Sequence, residues 1–224
     1  METNEDFKTL DILARENSAD KKFHLHDYTT TYDRVLTPLR YKEIKLFELG
    51  IARGRSHKMW AEYFPKGEIY GIDLFVRKHL HEIPRVHLEV CDQTDREQLE
   101  NYGKKNGPFD VVIDDGCHHS EWTIQSFEVF WPTVKPGGVY FVEDTFFSYH
   151  KDLPECYTPP TVMGYFLDLA NRICKPGLEQ KGSYYAGYDR RSGPKSIEVL
   201  SEWHKTVESI SFQMGLIMLT KRGV

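Results

Sequence analysis

The sequence predicts an α/β fold, with one mostly parallel seven-stranded sheet, a terminal antiparallel hairpin and helices on both faces. Three observations predict it. Between Ile44 and Val142, short apolar β-runs alternate with helical stretches, the pattern of βαβ units around a parallel sheet. Near the end, two more β-runs are joined by Gln213-Met214-Gly215, which is too short for a helical crossover and so makes an antiparallel hairpin. At 224 residues, 40% hydrophobic and 28% charged, the chain is long and apolar enough for a single soluble domain with a real core.

Residues 1–40 read as a polar, partly helical lead-in, with helical spacing of Phe7, Leu10, Ile12 and Leu13 between Asp6 and Arg15. This segment is a candidate lid or subunit contact, so a homo-oligomer is one expectation, and residues 41–224 form the main domain. The β-runs are Ile44–Leu49, Glu68–Asp73, Arg85–Val90, Phe109–Ile113 and Gly138–Val142. Helices are expected at Ser56–Tyr63, briefly near Arg77–His81, at Thr94–Tyr102 and at Ser120–Trp131. The aromatic stripe of the last (Trp122, Phe127, Phe130, Trp131) should pack on the sheet, and Pro132 with Lys135-Pro-Gly-Gly turns the chain into the next strand. Residues 146–200, with a helix-like Thr161–Ile173, form an insert expected to shape a substrate pocket. The hairpin strands are Thr206–Phe212 and Leu216–Thr220.

Two strand ends carry most of the chemistry. Asp110-Val-Val-Ile-Asp114-Asp115-Gly116-Cys117-His118-His119 and Gly137-Gly-Val-Tyr-Phe-Val-Glu143-Asp144 are apolar runs that each end in two carboxylates. Open α/β sheets bind ligands beyond the carboxyl ends of their strands. If the two runs are neighbours, four acids and two imidazoles meet there, a concentration of charge suited to a hard divalent cation. Singly, Asp114-Asp115 reads equally as an N-cap for the following helix, and Glu143-Asp144 as a polar strand end. His119 reads as a surface or helix-start residue.

The first three strand ends suggest an adenosyl cofactor. Glu48-Leu-Gly50-Ile-Ala-Arg-Gly54-Arg-Ser56 makes a glycine turn where backbone can approach a ligand, but it lacks the Gly-x-Gly-x-x-Gly of a dinucleotide site. Glu48 would repel a pyrophosphate and suit a cationic sulfonium. Asp73 ends the second run where a ribose diol needs an acceptor, and Asp92-Gln93 follows the third with groups suited to an adenine edge.

Composition excludes several classes. A net charge of −5 argues against nucleic acid as the main partner. The four cysteines lack CxxC spacing, and Cys91 and Cys117 read as small buried thiols. The acidic start has no apolar signal core and no stretch reaches the length of a membrane span, so a cytoplasmic protein is expected.

From about His26 to Thr145 the chain resembles the class I S-adenosylmethionine-dependent methyltransferases. More narrowly, it resembles the metal-dependent macrocin/mycinamicin sugar O-methyltransferases. The resemblance rests on Glu48-Leu-Gly50-x-x-x-Gly54, Tyr70-Gly-Ile-Asp73, Asp92-Gln93, Ile113-Asp-Asp-Gly-Cys-His118 and Pro136-Gly-Gly-x-Tyr-x-x-Glu143-Asp144. It implies a Rossmann-like fold and S-adenosylmethionine contacts at Glu48, Gly50, Gly54, Ser56, Asp73, Asp92 and Gln93. It also implies a Mg²⁺ site at Asp115, Glu143 and Asp144, with His118 as base. His26 and Tyr28 resemble a lead-in that closes over the cofactor, and Cys117 stands where the family more often has Ser.

The expected reaction moves the sulfonium methyl group in line to a sugar hydroxyl. A vicinal diol of a rhamnosyl-type or other deoxysugar would complete the ion's coordination, and His118 would take the proton. Asp114, on the opposite strand parity from Asp115, is then a cofactor-side or structural acid. Tyr184, Tyr185 and Tyr188 are candidates to stack on the sugar. The alternatives are a catechol-type O-methyltransferase, a nucleotide-binding oxidoreductase disfavoured by the glycine pattern and Glu48, and a catalytically silent binding module.

Overall fold

Strand parity sends each β-run's side chains alternately to two cores. The computed structural model describes residues 8–23, 25–174 and 205–223. Its sheet contains β1 (Lys45–Leu49), β2 (Glu68–Asp73), β3 (Val86–Val90), β4 (Phe109–Asp114), β5 (Val134–Val142), β6 (Val207–Gln213) and β7 (Leu216–Lys221). The order is β3-β2-β1-β4-β5-β7-β6. β1 to β5 are parallel, and β7 runs antiparallel to both β5 and β6. The seven-stranded, mostly parallel sheet with its terminal hairpin is the expected fold.

One face buries Leu46, Val111, Ile113 and Phe141 under α1 (Leu10–Glu16), α2 (Thr29–Leu36) and α3 (Arg55–Tyr63). The other buries Phe47, Val112, Tyr140 and Val142 under α4 (Arg96–Asn106), α5 (Ser120–Phe130) and α7 (Val162–Cys174). A short helix, α6 (Pro154–Tyr157), precedes α7.

The lead-in is more integral than its polarity suggests. Thr9 caps α1, its hydroxyl accepting from the Ile12 amide at 3.4 Å. Leu10, Leu13, Ala14, Tyr32 and Leu36 then join the first core. Few inward positions suffice to dock a short helix, at roughly 1.5–3 kcal/mol per buried large apolar side chain.

Three local expectations need correction. Pro136-Gly137-Gly138 lies inside β5 as an irregularity, because the register steps from Phe109↔Val134 to Val111↔Val139. Trp122 is only half-buried and lines a surface cavity of about 480 Å³ beside α6, whereas Phe127, Phe130 and Trp131 are core. Cys91 is buried, but Cys117 sits in an exposed turn. No helix among the described residues is long and apolar enough to cross a membrane.

Candidate active site

β4 and β5 are adjacent and parallel with Asp114 opposite Val142, and the Glu143 amide donates to the Asp114 carbonyl at 2.9 Å. The two acidic strand ends therefore form one rim. Parity divides their side chains. Glu48 pairs in register with Ile113, whose side chain lies in the first core, and Asp115 and Glu143 follow two residues after Ile113 and Phe141. Glu48, Asp115 and Glu143 consequently converge under the lead-in, with ligand atoms within 4.8 Å of one another.

Lys21 fills that inner group. Its fully buried Nζ lies 2.7 Å from Asp115 Oδ2, 2.7 Å from Glu143 Oε1 and 3.0 Å from Glu48 Oε1, the last an ion pair without hydrogen-bond geometry. Burial alone would depress the ammonium, but the charges of Asp115, Glu143 and Glu48 outweigh it and hold its pKa above the usual lysine value. Burial raises Asp115 to about 7 against the pull of Lys21, and raises Glu143 as well. The Tyr32 hydroxyl donates to Glu143 at 2.5 Å, and Trp60 Nε1 donates to Glu48 at 3.1 Å.

An outer group shares Asp115 and adds His118 and Asp144, again within 4.8 Å. His118 Nε2 is 3.5 Å from Asp144 Oδ2. Burial lowers the His118 pKa despite the opposing Asp144 charge, so its imidazole is neutral at pH 7. The Phe147 ring lies flat against it. On the far side of Asp144, His26 Nδ1 is 3.3 Å away and the Tyr28 hydroxyl donates to Oδ1 at 2.7 Å. Both His118 and Asp144 have positive φ, 59° and 53°, a conformation rare outside glycine.

A cleft of about 230 Å³ opens at the ends of β1 to β4, lined in part by Gly50, Asp73, Asp92, Gln93, Asp115 and Cys117. Its wall accounts for some of the expected cofactor residues. Asp73 Oδ2 already accepts from the Ile51 and Ala52 amides, at 2.8 and 2.9 Å, fixing the glycine turn. Asp92 Oδ1 accepts from the Thr94 amide and hydroxyl, both at 2.8 Å. The Gln93 amide is spent within the protein, accepting from Cys117 N at 2.9 Å and donating to Ser126 Oγ at 3.0 Å and Asp114 Oδ1 at 3.3 Å.

Glu48, Gly54, Ser56, Asp114 and Tyr28 are not on the cleft wall. Glu48 faces Lys21, and Tyr28 reaches Asp144. Gly54 caps α3 at φ +71°, where a Cβ would meet Leu80 at 2.6 Å, and Ser56 follows in the first turn of that helix. At Gly50, φ +90°, a Cβ would meet the Asp115 carbonyl at 2.0 Å, so protein backbone alone demands this glycine. Neither Asp114 nor Asp115 caps α5; His119 occupies that N-cap without a side-chain cap bond.

Comparison with known proteins identifies the family. Residues 47–145 match a family described as a methyltransferase domain. The chain is 32% identical over 220 residues to 8-demethyl-8-alpha-L-rhamnosyl tetracenomycin-C 2'-O-methyltransferase of Streptomyces olivaceus, covering 94% of this chain and 54% of that protein. The crystallised MycE methyltransferase of the mycinamycin pathway, in complex with Mg and SAH, superposes with a TM-score of 0.81 at 27% identity, covering 96% of this chain and 55% of that one.

The chain belongs to the class I S-adenosylmethionine-dependent methyltransferases.

Among them it is related to the macrocin, mycinamicin and rhamnosyl sugar O-methyltransferases. Mycinamicin VI 2''-O-methyltransferase of Micromonospora griseorubida is 37% identical over 181 residues, covering 75% of this chain and 45% of that protein. The chain spans about half the length of the curated relatives it matches. Within this chain the matched segment holds both acidic strand ends but not Lys21, His26 or Tyr28. Lys21 and Phe147 are the site neighbours that sequence reasoning missed. Nothing local to Lys21-Lys22 ties Lys21 to acids 94 and 122 residues away. Tyr184, Tyr185 and Tyr188 lie outside the described residues.

Proposed function

We propose that this methyltransferase moves the methyl group of S-adenosylmethionine to a hydroxyl of a sugar carried on a small molecule or glycan, with Mg²⁺ as second cofactor. The observation that carries the reading is the meeting of Asp115, Asp144 and His118 at the rim of the cleft. Relatives that methylate rhamnosyl and other deoxysugar groups, and the Mg and SAH in the MycE crystals, support the choice of substrate and cofactors.

The donors are carboxylates in two groups that share Asp115, with Glu143 beside it in one and Asp144 in the other. Asp115, Glu143 and Asp144 would hold Mg²⁺, and carboxylate oxygens are the ligands it prefers. When bound, the ion would stabilise negative charge on the acceptor oxygen and orient a vicinal diol. His118, neutral through burial, accepts the hydroxyl proton at Nε2, and Asp144 stabilises the imidazolium that results. Phe147 fixes the ring plane. The cleft residues Gly50, Asp73, Asp92 and Gln93 position the cofactor, with Glu48, Gly54, Ser56 and Asp114 supporting the cleft from behind. Tyr28, whose hydroxyl is held protonated by burial and by Asp144, anchors the lead-in beside the site. Residues 1–40 serve as lid and 146–200 shape the acceptor pocket.

The test is methyl transfer from S-adenosylmethionine to rhamnosides and to catechols, each with and without EDTA. Turnover of rhamnosides that EDTA abolishes is expected. Preference for catechols would move the protein to the catechol-type reading, and full activity in EDTA would remove the metal.

A further inference from the structure

Lys21 presents a problem that the proposed reaction does not absorb. A fully buried lysine is rare unless paired, and this one meets three carboxylates at 2.7, 2.7 and 3.0 Å. It comes from the lead-in, outside the segment that matches the methyltransferase family. The other basic neighbour of Glu48 among the described residues, His57, is fully buried with its Nδ1 3.4 Å from Oε2, and burial lowers its pKa despite the Glu48 charge. Lys21 is therefore the cation that compensates the inner acids. Asp115 belongs to the inner group and the outer one alike, so a charge on Lys21 is felt wherever an ion meets Asp115.

We propose that Lys21 is a tethered counter-ion that sets the divalent-ion affinity of this site. It pairs with the inner acids, so an exchangeable ion held by Asp115, Glu143 and Asp144 shares the first two with its ammonium. The inference deepens the metal reading above and rests on it. Fully ionised, as a bound cation would hold them, the four carboxylates Glu48, Asp115, Glu143 and Asp144 carry a formal charge of minus four, which Lys21 reduces by one. Affinity for a divalent ion should then follow the formal charge of the cage. Changing that charge by one unit at this range changes affinity about tenfold or more, even with strong solvent screening.

The experiment measures Mn²⁺ affinity of the full chain by paramagnetic resonance or calorimetry at fixed pH and ionic strength, without substrate. Lys21→Met should bind Mn²⁺ about tenfold more tightly than the unaltered protein, and Glu48→Gln about tenfold more weakly. The double variant restores the original formal charge and should bind within a few-fold of the unaltered protein; Lys21→Arg should do the same. Should Lys21→Met fail to fold, Glu48→Gln compared with the double variant isolates the lysine, and the double variant should be the tighter binder. A purely structural lysine would change the melting temperature and leave this order flat. Equal affinity across the set overturns the Lys21 assignment and leaves the metal reading standing. No Mn²⁺ binding by any of the proteins overturns both.

Discussion

The His118 imidazole and the Phe147 ring lie face to face, with centroids 5.0 Å apart and planes within 8°. Phe147 belongs to the 3-10 turn Thr145–Tyr149 that follows β5, so the strand that leads into Glu143 also delivers the surface on which His118 rests. Two effects follow. The ring restricts His118 to one plane, and it contributes to the burial that keeps the imidazole neutral.

Phe147→Ala should therefore lower kcat about tenfold or more through loss of orientation, with a smaller change in KM for the acceptor. The pH profile gives the more specific sign. Burial depresses the His118 pKa, so opening its face to water raises that pKa toward the usual histidine value. A base must be deprotonated to act, and the acidic limb of the kcat profile should move to higher pH. Phe147→Tyr should restore both properties. An unmoved limb would contradict the packing argument.

Removing the proposed base itself should be more severe. His118→Ala is expected to lose about 100-fold to 10,000-fold in turnover, the range for a positioned general base. Asp115→Asn should also abolish turnover, since Asp115 belongs to both acid groups. Isothermal titration with the cofactor separates the two: affinity should be nearly unchanged for His118→Ala. Unimpaired turnover in both variants would remove both residues from the reaction, whereas a silent binding module would show no turnover in any form and no property altered by either substitution.

The fold and half of the site were legible because both depend on short-range pattern. Period-two alternation places Ile113 and Phe141 in one core, and the same count carries Asp115 and Glu143 to the same face. The Gln213-Met214-Gly215 turn forces the final hairpin for a reason equally local. Lys21 was not legible, because its partners are set by how α1 and α2 dock, and docking has no signature in the lysine's neighbourhood. Gln93 carries contacts that its place in the sequence does not announce. It lines the cleft, and its amide also bonds Cys117, Asp114 and Ser126.

Asp114 offers a stability test with a definite sign. Its side chain faces the second core, and burial raises its pKa from 3.8 to about 7. The folded protein therefore holds this proton more tightly than the unfolded chain does. Its contribution to stability is complete below pH 4 and is lost as pH rises toward 7, by at most about 4 kcal/mol. Asp114→Asn cannot lose the proton and keeps an oxygen to accept from Gly116 and Gln93. Denaturant unfolding should show the variant gaining on the unaltered protein steadily between pH 4 and 7, with no further gain above. A constant difference across that range would mean that the carboxyl is not the buried group described here.

Cys117 allows cofactor binding to be followed without catalysis. It is exposed and lines the cleft, which would ordinarily make it the thiol to label. Burial of the sulfur, with added repulsion from Asp114, nevertheless pushes its pKa up to about 11. Since the thiolate is the nucleophile, alkylation at pH 7 should be slow and should accelerate about tenfold per pH unit toward pH 10. Cys174, also exposed, should be replaced by Ser so that it does not compete, while Cys91 and Cys156 are buried. S-adenosylhomocysteine filling the cleft should then protect Cys117, and the protection should titrate with the affinity measured by calorimetry. Mass spectrometry of the Cys117 peptide reads the result directly, and labelling that saturating S-adenosylhomocysteine leaves unchanged would place the cofactor somewhere other than this cleft.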